Sequence, residues 1–269
     1  MVAGARLREV CAEVEDFIRA RGARLAFPVQ TSRNEVAAHY CPSPEEETLY
    51  ANGDLAKLDV GVHVDGWVVD TAVTVNVGDD PQNRALVEAA EAALEAAIAI
   101  ARAAVPIRKL SAAIEQTITG RGFRPMKNLC GHHVDRWTVH SPPAIPNSPD
   151  EAGDRLALGA TLAIEPFATT GLGFVGETGR PEVFRILPGP LEGVSAAVAA
   201  VLAALNGLPF SRRDLRDCPR PEVEAALQTL HSRGRLHAYP PLVETSGRKV
   251  AQAEHTIYVG RDGVEVLTR

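Results

Sequence analysis

The sequence predicts a mixed α/β (α+β) protein, because helix-like and strand-like patterns both occur along one chain. Apolar residues recur at helical spacing over 5–20, and an Ala-rich run over 82–103 favours a second, longer helix. Between them, residues 56–77 contain two β-branched runs separated by Asp65-Gly66. An Asp-Gly pair in this setting is the strongest local signal of a two-residue hairpin, so we expect antiparallel strands beside the helices.

The bulk properties of the chain are those of an ordinary soluble globular protein. Its 269 residues suit one large domain or two modest ones, and 45% of them are apolar and 23% charged. The formal net charge of −6 argues against a general binder of nucleic acid or anionic membranes, since such proteins need a basic surface. We therefore expect no specific nucleic-acid partner.

No stretch of the sequence predicts membrane insertion or export. The best apolar candidate, 94–105, falls short of the roughly 18 residues that a membrane helix needs, and Glu95 and Arg102 interrupt it. The first residues mix charged with apolar positions, which is unlike a signal peptide. The four cysteines are scattered without a CxxC pair, which favours reduced thiols and a cytoplasmic protein.

The other elements follow from local patterns. The helix over 5–20 is expected to end near Gly22, because glycine commonly follows the last helical turn. In chain order the sequence then predicts a strand at 25–29, a polar segment at 34–39, a loop at 42–47, the hairpin at 56–77, helices at 82–103 and 108–120, an extended segment at 123–140, a proline-rich loop at 142–154 and a strand at 161–167.

The pattern changes beyond residue 190. Helices are expected at 194–205, 211–218 and 221–233, with strand-like segments at 235–243 and 250–259. The block 190–245 is therefore predicted to be a helical insertion with a small wing. A wing invites a DNA-binding interpretation, but eight basic against six acidic residues over 190–250 give little positive charge for phosphates. An insertion that serves packing is the preferred interpretation.

Two aspartates of the predicted hairpin are candidate metal ligands. With Asp65-Gly66 as the turn, Val64 pairs with Trp67, Gly61 with Asp70, and Asp59 with Ala72. Asp59 and Asp70 are then diagonal neighbours on one face, about 7–8 Å apart at the backbone. Carboxylates at that spacing can converge on two cations roughly 3.5–4 Å apart. The alternative is that both face water, since burying them unpaired is costly.

Further carboxylates and imidazoles could complete such a site. Glu165 and Glu254 each lie within an apolar strand-like segment, and a mixed carboxylate and imidazole set suits Mn, Fe, Co, Ni or Zn. His132 and His133 are adjacent, so only one can face the site from an extended backbone. His140 is an even number of residues from His132 and could share its face.

The remaining histidines are weaker candidates. His63 shares the face of Asp59 but lies about 13 Å further along the strand, so it is not expected to bind the same cluster. His255 follows Glu254 and should point the opposite way. His231 and His237 are expected to be plain surface residues of the insertion. His39 lies in a predicted polar segment and cannot be assigned from local chemistry.

An ordered set of motifs resembles one known family. The segments AFPV, NEVAAHY, LDVGVHVDGWVVDTAVTV, NLCGHH, AIEPFAT and AQAEHTI span nearly the whole chain and closely resemble methionine aminopeptidases of the archaeal and eukaryotic type 2 class. The resemblance implies the pita-bread fold, two pseudo-symmetric antiparallel halves covered by helices, as one catalytic domain over 1–269. Glu165 and Glu254 are 89 residues apart, and a helical insertion in this interval marks type 2 enzymes, which fits the block 190–245.

The resemblance also implies a ligand set and roles. The metal ligands would be Asp59, Asp70, His132, Glu165 and Glu254, with His132 chosen over His133. Asp59 would chelate one of two divalent ions, Asp70 and Glu254 would bridge them, and His132 and Glu165 would bind the other. Glu165 would also shuttle a proton, His140 would stabilise the oxyanion, and His39 would lie near the scissile nitrogen. Phe27, with His39 and His140, would contact the substrate's methionine.

The implied function is removal of the initiator methionine from nascent proteins and peptides with a small second residue. The expected partner is therefore a peptide or nascent chain, for a cytoplasmic monomer; association with the ribosome is left open, as is the metal among Co, Mn, Fe, Ni and Zn. One alternative is a proline peptidase, since prolidase and aminopeptidase P share the fold and ligands. Another is a non-enzymatic scaffold, disfavoured because all five ligands are present.

The chain departs from the family pattern at a few positions. Ala253 stands where Phe commonly precedes the last glutamate, Cys41 replaces a common Thr, and Cys130 replaces a small polar residue. None of these is an expected ligand, but Cys41 and Ala253 could reshape the pocket. A first helix expected ahead of residue 5 is missing, through truncation or because this member is minimal.

Overall fold

The computed structural model describes residues 1–149 and 153–269. Its α-helices are α1 (Leu7–Ala20), α2 (Pro81–Ile100), α3 (Ile107–Gly120), α4 (Ala196–Ala204) and α5 (Arg220–Ser232), and a 3₁₀ helix covers Arg212–Leu215. The strands are β1 (Arg24–Leu25), β2 (Gln30–Arg33), β3 (Val36–Ala38), β4 (Leu55–Val64), β5 (Trp67–Asn76), β6 (Arg124–Pro125), β7 (Cys130–Asp135), β8 (Thr138–Pro146), β9 (Thr161–Ile164), β10 (Phe167–Thr169), β11 (Val175–Glu177), β12 (Val183–Ile186), β13 (Leu236–Tyr239), β14 (Leu242–Glu244), β15 (Val250–Gln252), β16 (His255–Val259) and β17 (Val264–Val266).

The strands form antiparallel sheets. The largest has the order β17-β16-β9-β7-β8, and a second joins β1, β4 and β2 with β5 paired to β4. Helices α2 and α3 pack on the strands through an apolar cluster that includes Leu110, Ile114 and Leu162. The face of α2 within it is mostly alanine, which lets the helix approach its neighbours closely. This packing fixes the strand ends that carry the candidate ligands.

The predicted hairpin is confirmed in register. Val64 pairs with Trp67, Gly61 with Asp70 and Asp59 with Ala72. Asp65 and Gly66 both have positive φ, 50° and 90°, which is the geometry of a type I′ turn. The Trp137 ring covers Gly66, where a Cβ atom would collide with it.

Several sequence expectations differ from the structure. The strand expected at 25–29 is wrong except at Leu25, because β1 ends there and β2 begins at Gln30, and the polar segment at 34–39 contains β3. The helix expected at 211–218 is a 3₁₀ helix over Arg212–Leu215, and the strands expected at 235–243 and 250–259 are each broken in two. The strand expected at 161–167 breaks at Glu165-Pro166 into β9 and β10. The loop expected at 142–154 is wrong at its start, because Pro142 to Pro146 belong to β8; residues 150–152 lie outside the described residues. Strand β8 lies at the edge of its sheet. An edge strand tolerates prolines, because their missing N–H groups would not pair with a neighbouring strand.

The block beyond residue 190 has an apolar cluster of its own. Helices α4 and α5 pack with Phe184 of β12 and with Phe210, and the expected wing is β13 paired to β12. Arg213 joins this block to the rest of the molecule, because its guanidinium contacts Glu15 Oε1 at 2.6 Å and donates to the carbonyl oxygens of Val29 and Pro42. Among the described residues, no helix is long and apolar enough to cross a membrane.

Candidate metal centre

Three strands and two breaks between strands bring the predicted ligands to one pocket. Asp59 lies on β4, Asp70 on β5, His132 on β7, Glu165 between β9 and β10, and Glu254 between β15 and β16. All five line a cavity of about 200 Å³, together with the predicted substrate residues Phe27, His39 and His140. Phe27 can lie here because Gly61, beneath its ring, has no side chain to collide with it.

Glu254 reaches Asp70 through contacts between β5 and the segment before β16. Its backbone N–H donates to Ala72 O at 2.9 Å, and Thr71 Oγ1 donates to Glu254 O at 2.9 Å. Thr256 lies on the same segment, and its Oγ1 donates to Asp70 O at 2.7 Å. Oxygens of Asp70 and Glu254 and a ring nitrogen of His132 thereby lie within 4.8 Å of one another.

The strand register separates the two adjacent histidines. His132 pairs with Ala163 on β9, and its Nε2 lies 3.7 Å from Asp70 Oδ2 and 3.6 Å from Glu165 Oε1. His133 faces away and contacts Ser141 Oγ through Nδ1 at 3.1 Å. The structure therefore brings His132, rather than His133, to the carboxylates.

A break in the β9–β10 strand turns Glu165 into the pocket. Pro166 cannot donate to the sheet, and Asn147 spans the gap instead. The Asn147 side-chain amide donates to Glu165 O at 3.1 Å and accepts from the Phe167 N–H at 2.6 Å. Asn147 is fully buried, so this amide has no water to compensate a lost partner. The sequence analysis missed Asn147, since nothing in its neighbourhood links it to residue 165.

Gln252 is a second residue that the sequence analysis missed. Its Nε2 lies 3.4 Å from Glu165 Oε2 and 3.4 Å from Glu254 Oε2, and its side chain is buried. Its backbone is held by Thr74, whose hydroxyl accepts from Gln252 N at 2.8 Å. The sequence could have predicted this position, because Gln252 lies two residues before Glu254 and alternate residues of a strand share a face.

Burial dominates the electrostatics of the five residues. It raises the pKa of Asp59 to about 7 and raises the pKa values of Asp70, Glu165 and Glu254 well above their usual range. The neighbouring carboxylates raise the last three further. Burial also lowers the pKa of His132 to about 3, so its imidazole is neutral and able to bind a metal. Four acidic groups, two of them buried and two half-buried, thus surround a neutral imidazole, and no basic side chain among the described lining residues balances their charge.

The residues present fit divalent cations. Asp59 Oδ1, Asp70 Oδ1 and Glu254 Oε1 are buried and have no hydrogen-bond partner among the described residues. No lysine or arginine is among the described residues that line the cavity. A buried carboxylate needs a counter-charge, and carboxylates mixed with one imidazole suit first-row transition metals.

His140 and His39 lie beside the ligands. The His140 ring centroid is 4.1 Å from that of His132, although His140 is on β8 and not, as the even spacing suggested, on the same strand. His39 has a φ of 64° and its ring lies 5.6 Å from that of Tyr239. Burial first, and then nearby positive charge, lowers the pKa of each histidine to about 4. Both rings are therefore neutral near pH 7.

The other histidines are elsewhere, as expected. His63 Nδ1 accepts from the Gly66 N–H at 3.2 Å, and His255 contacts Thr268 Oγ1 at 2.9 Å. His231 and His237 are exposed. His237 is nevertheless more than a plain surface residue, because its ring packs 4.4 Å from that of Tyr239 in the pocket wall.

Comparison with known proteins assigns the family. Residues 1–260 match the family model described as metallopeptidase family M24. The chain is 42% identical over 269 residues to a methionine aminopeptidase of Archaeoglobus fulgidus, covering 99% of this chain and 90% of the relative. It is 43% identical over 271 residues to one of Pyrococcus abyssi, covering 98% and 91%.

Solved structures agree on the fold. A methionine aminopeptidase of Thermotoga maritima superposes with a TM-score of 0.72 at 24% identity, covering 100% of this chain and 87% of the other. A thermophilic Arx1 gives a TM-score of 0.82 at 16% identity, with coverage of 98% and 83%. A prolidase of Pyrococcus horikoshii gives 0.62 at 18% identity and covers 100% of this chain but 55% of its own. At these identities the likeness concerns the fold alone.

The chain belongs to metallopeptidase family M24, and the expected pita-bread fold is confirmed. Its relatives at 40–43% identity over nearly their whole length are methionine aminopeptidases. The activity of the chain is accordingly that of a metallo-aminopeptidase that removes an N-terminal methionine. The preference for methionine over proline that the motifs predicted is confirmed at this level.

Proposed function

We propose that the chain is a type 2 enzyme in which Asp59, Asp70, His132, Glu165 and Glu254 hold two divalent cations. The observation that carries this proposal is the group of buried carboxylate oxygens without hydrogen-bond partners around the neutral imidazole of His132. Asp59 would hold one cation, His132 and Glu165 would hold the other, and Asp70 and Glu254 would contribute to both sites. When bound, such cations polarise the scissile carbonyl and make water acidic enough to supply hydroxide near neutral pH.

The chain's own residues then handle protons and charge. Glu165 would accept a proton from the attacking water and pass it towards the leaving amine, because its carboxylate lies in the pocket beside His132. His140 is neutral and its ring lies beside that of His132 at the pocket, so its ring N–H can donate to the developing oxyanion. His39 also lines the pocket, next to Tyr239, and would orient the scissile amide.

The pocket also supports a substrate with methionine first and a small residue second. Phe27, Val139 and Phe167 supply apolar wall for a thioether side chain, and the carboxylates attract a free α-amine. A cavity of about 200 Å³ leaves little room for a large second side chain. We propose nascent chains in the cytoplasm as the natural substrates of a monomeric enzyme, with ribosome association still open.

The type 2 assignment and the domain division rest on the block 190–245. It lies between Glu165 and Glu254, contains α4 and α5 and packs around its own apolar cluster. We propose that it is the insertion that marks the type 2 class within one catalytic domain over 1–269. Its strand β13 contributes Tyr239 to the pocket wall, so the insertion takes part in forming the site.

A peptidase assay with defined metals tests the substrate. The enzyme loaded with Mn²⁺, Co²⁺, Fe²⁺, Ni²⁺ or Zn²⁺ in turn is expected to release methionine from Met-Ala-Ser and much more slowly from Met-Trp-Ser. Faster cleavage of X-Pro peptides than of Met-Ala-Ser would replace the proposal with a proline peptidase. Absence of divalent-cation binding by calorimetry would instead revive the scaffold alternative.

Replacement of a bridging ligand tests the site assignment. Glu254→Ala is expected to lose one of two bound cations and to lower kcat more than about 100-fold, since even supporting residues around metals are worth 10- to 100-fold. Metal content is measured by plasma emission after dialysis. Glu265→Ala, on exposed β17, is the matched control and should match wild type. A Glu254→Ala enzyme with wild-type turnover would refute the assignment.

A further inference from the structure

The register of β12 and β13 continues the pocket wall outward. Val183 pairs with Tyr239, and Arg185 pairs with His237. Alternate side chains share a face of a sheet, so these four residues lie together, while Phe184 faces the apolar cluster of the insertion. Val183 and Tyr239 line the cavity. The Arg185–His237 pair therefore lies about 7 Å further along the strands, beside the mouth.

Two contacts tie this pair to the pocket. The His237 ring is 4.4 Å from Tyr239, whose ring is in turn 5.6 Å from His39. The positive charge of Arg185 acts on His140, where it adds to the effect of burial in lowering the pKa. Both Arg185 and His237 are exposed to solvent. They are thus open to a ligand and close to the residues at the cleaved bond.

Arg185 has no carboxylate partner among the described residues, unlike three other arginines of this part of the chain. Arg180 pairs with Glu182, Arg212 with Glu182 and Glu224, and Arg233 with Glu192. Across the strand from Arg185 stands His237, which adds a second donor and no negative charge. Arg185 thus faces an imidazole and no acidic group across the strands, and an anion between the two side chains would accept hydrogen bonds from both.

We propose that Arg185 and His237 form a subsite that binds a carboxylate of the peptide downstream of the cleaved bond. The inference rests on the proposed function. A guanidinium presents a planar fork of donors that matches a carboxylate, and the imidazole adds a third donor. An extended peptide rises about 3.4 Å per residue, so the subsite meets the second or third residue beyond the bond. The carboxylate is either an acidic side chain there or the C-terminus of a short peptide.

Peptides that differ only in charge distinguish these sources. The amidated set Met-Ala-Ser-Xaa and Met-Ala-Xaa-Ser carries Glu, Gln or Lys at Xaa, and Met-Ala-Ser is compared as free acid and amide. Because an exposed ion pair contributes little free energy, kcat/KM is expected to be roughly two- to fivefold higher for the Glu peptide than for the Lys peptide. The difference should lie in KM, and added salt should reduce it. A preference confined to the free acid would assign the subsite to terminal carboxylates. Equal kcat/KM across all peptides would overturn the proposal.

A pair of variants tests whether Arg185 causes the preference for Glu over Lys in the peptide. Arg185→Gln is expected to abolish the Glu-over-Lys ratio, whereas Arg108→Gln, on an exposed position of α3, removes the same charge and should retain the ratio. An unchanged ratio in Arg185→Gln would overturn the proposal. If no peptide released methionine, the proposed function would fail, and calorimetric binding of the same peptides to the metal-loaded protein would still decide the subsite.

Discussion

At the scale of single residues, Gln252 links two of the candidate ligands. Its amide lies within 3.4 Å of both Glu165 and Glu254, so it orients two carboxylates that would otherwise repel each other. Gln252→Ala is expected to weaken metal affinity by 10- to 100-fold, as for other residues that support metal ligands. Competition with a fluorescent chelator measures that affinity. Gln228→Ala, exposed on α5, is the control, and equal affinities in the two variants would contradict the role.

His140 is the residue whose proposed role can be separated from metal binding. It contacts the His132 ring, but its side chain is assigned to the oxyanion and not to a cation. His140→Ala should lower kcat by about 100- to 1,000-fold, the usual cost of losing an oxyanion donor, with two cations still bound. His231→Ala, exposed on α5, provides the control. Loss of a cation in His140→Ala would make His140 a ligand.

At the scale of elements, Arg213 fastens the insertion to α1. Glu15 is only 1% exposed and faces Arg213 at 2.6 Å, so removing the guanidinium alone leaves a buried carboxylate. Arg213→Met should therefore destabilise the protein by about 3–5 kcal/mol. The double variant Glu15→Met/Arg213→Met should recover much of that loss. Thermal denaturation of the single and double variants measures the coupling, and simple additivity would argue against it.

Some elements were predictable because their signal is local. The hairpin register follows from Asp65-Gly66 alone, and with it the diagonal placement of Asp59 and Asp70. The break at Glu165-Pro166 was not predictable, because Asn147, 18 residues earlier, bridges it. The end of strand β8, from Pro142 to Pro146, was expected to be a loop because of its prolines; it belongs to an edge strand, and a position at the edge of a sheet is a tertiary property. Segments whose partners are distant in sequence gave no local signal.

At the scale of the whole molecule, the fold places acids with raised pKa values and histidines with lowered pKa values around one cavity. Both halves of the chain contribute acidic residues, and β7, β8 and the segment between β3 and β4 contribute histidines. The resemblance named the ligands, whereas the structure added Gln252, Asn147 and Arg185, whose contacts cross between distant segments. Such a cavity is unfavourable without cations, so metal binding and stability are coupled in the whole protein.

That coupling predicts an opposite pH dependence for acids and histidines in the metal-free protein. The pKa of Asp59 is raised from 3.8 to about 7, so its penalty is absent below pH 3.8 and grows as pH rises towards 7. His39, His132 and His140 have lowered pKa values, so their penalty grows as pH falls below 6.5. The pH ranges of the Asp59 penalty and of the histidine penalty overlap. Comparison of wild type with a variant that lacks only the Asp59 carboxylate therefore separates the contribution of Asp59 from that of the histidines.

Asp59→Asn provides that difference. In the presence of a chelator, we expect wild type and variant to melt at similar temperatures near pH 4, because Asp59 is then protonated in the folded chain and only partly ionised in the unfolded chain, so its penalty is small. At pH 8 the metal-free variant should melt higher, since wild type carries a buried anion without a counter-charge. Adding Mn²⁺ should raise the melting temperature of wild type more than that of the variant, because wild type retains all five proposed ligands. Scanning calorimetry from pH 4 to 8, with and without metal, measures all three. If the difference in melting temperature between wild type and variant stayed constant from pH 4 to 8, Asp59 would not be a buried charge without a counter-charge. Cation binding at Asp59 would then not be expected to stabilise the protein by neutralising that charge.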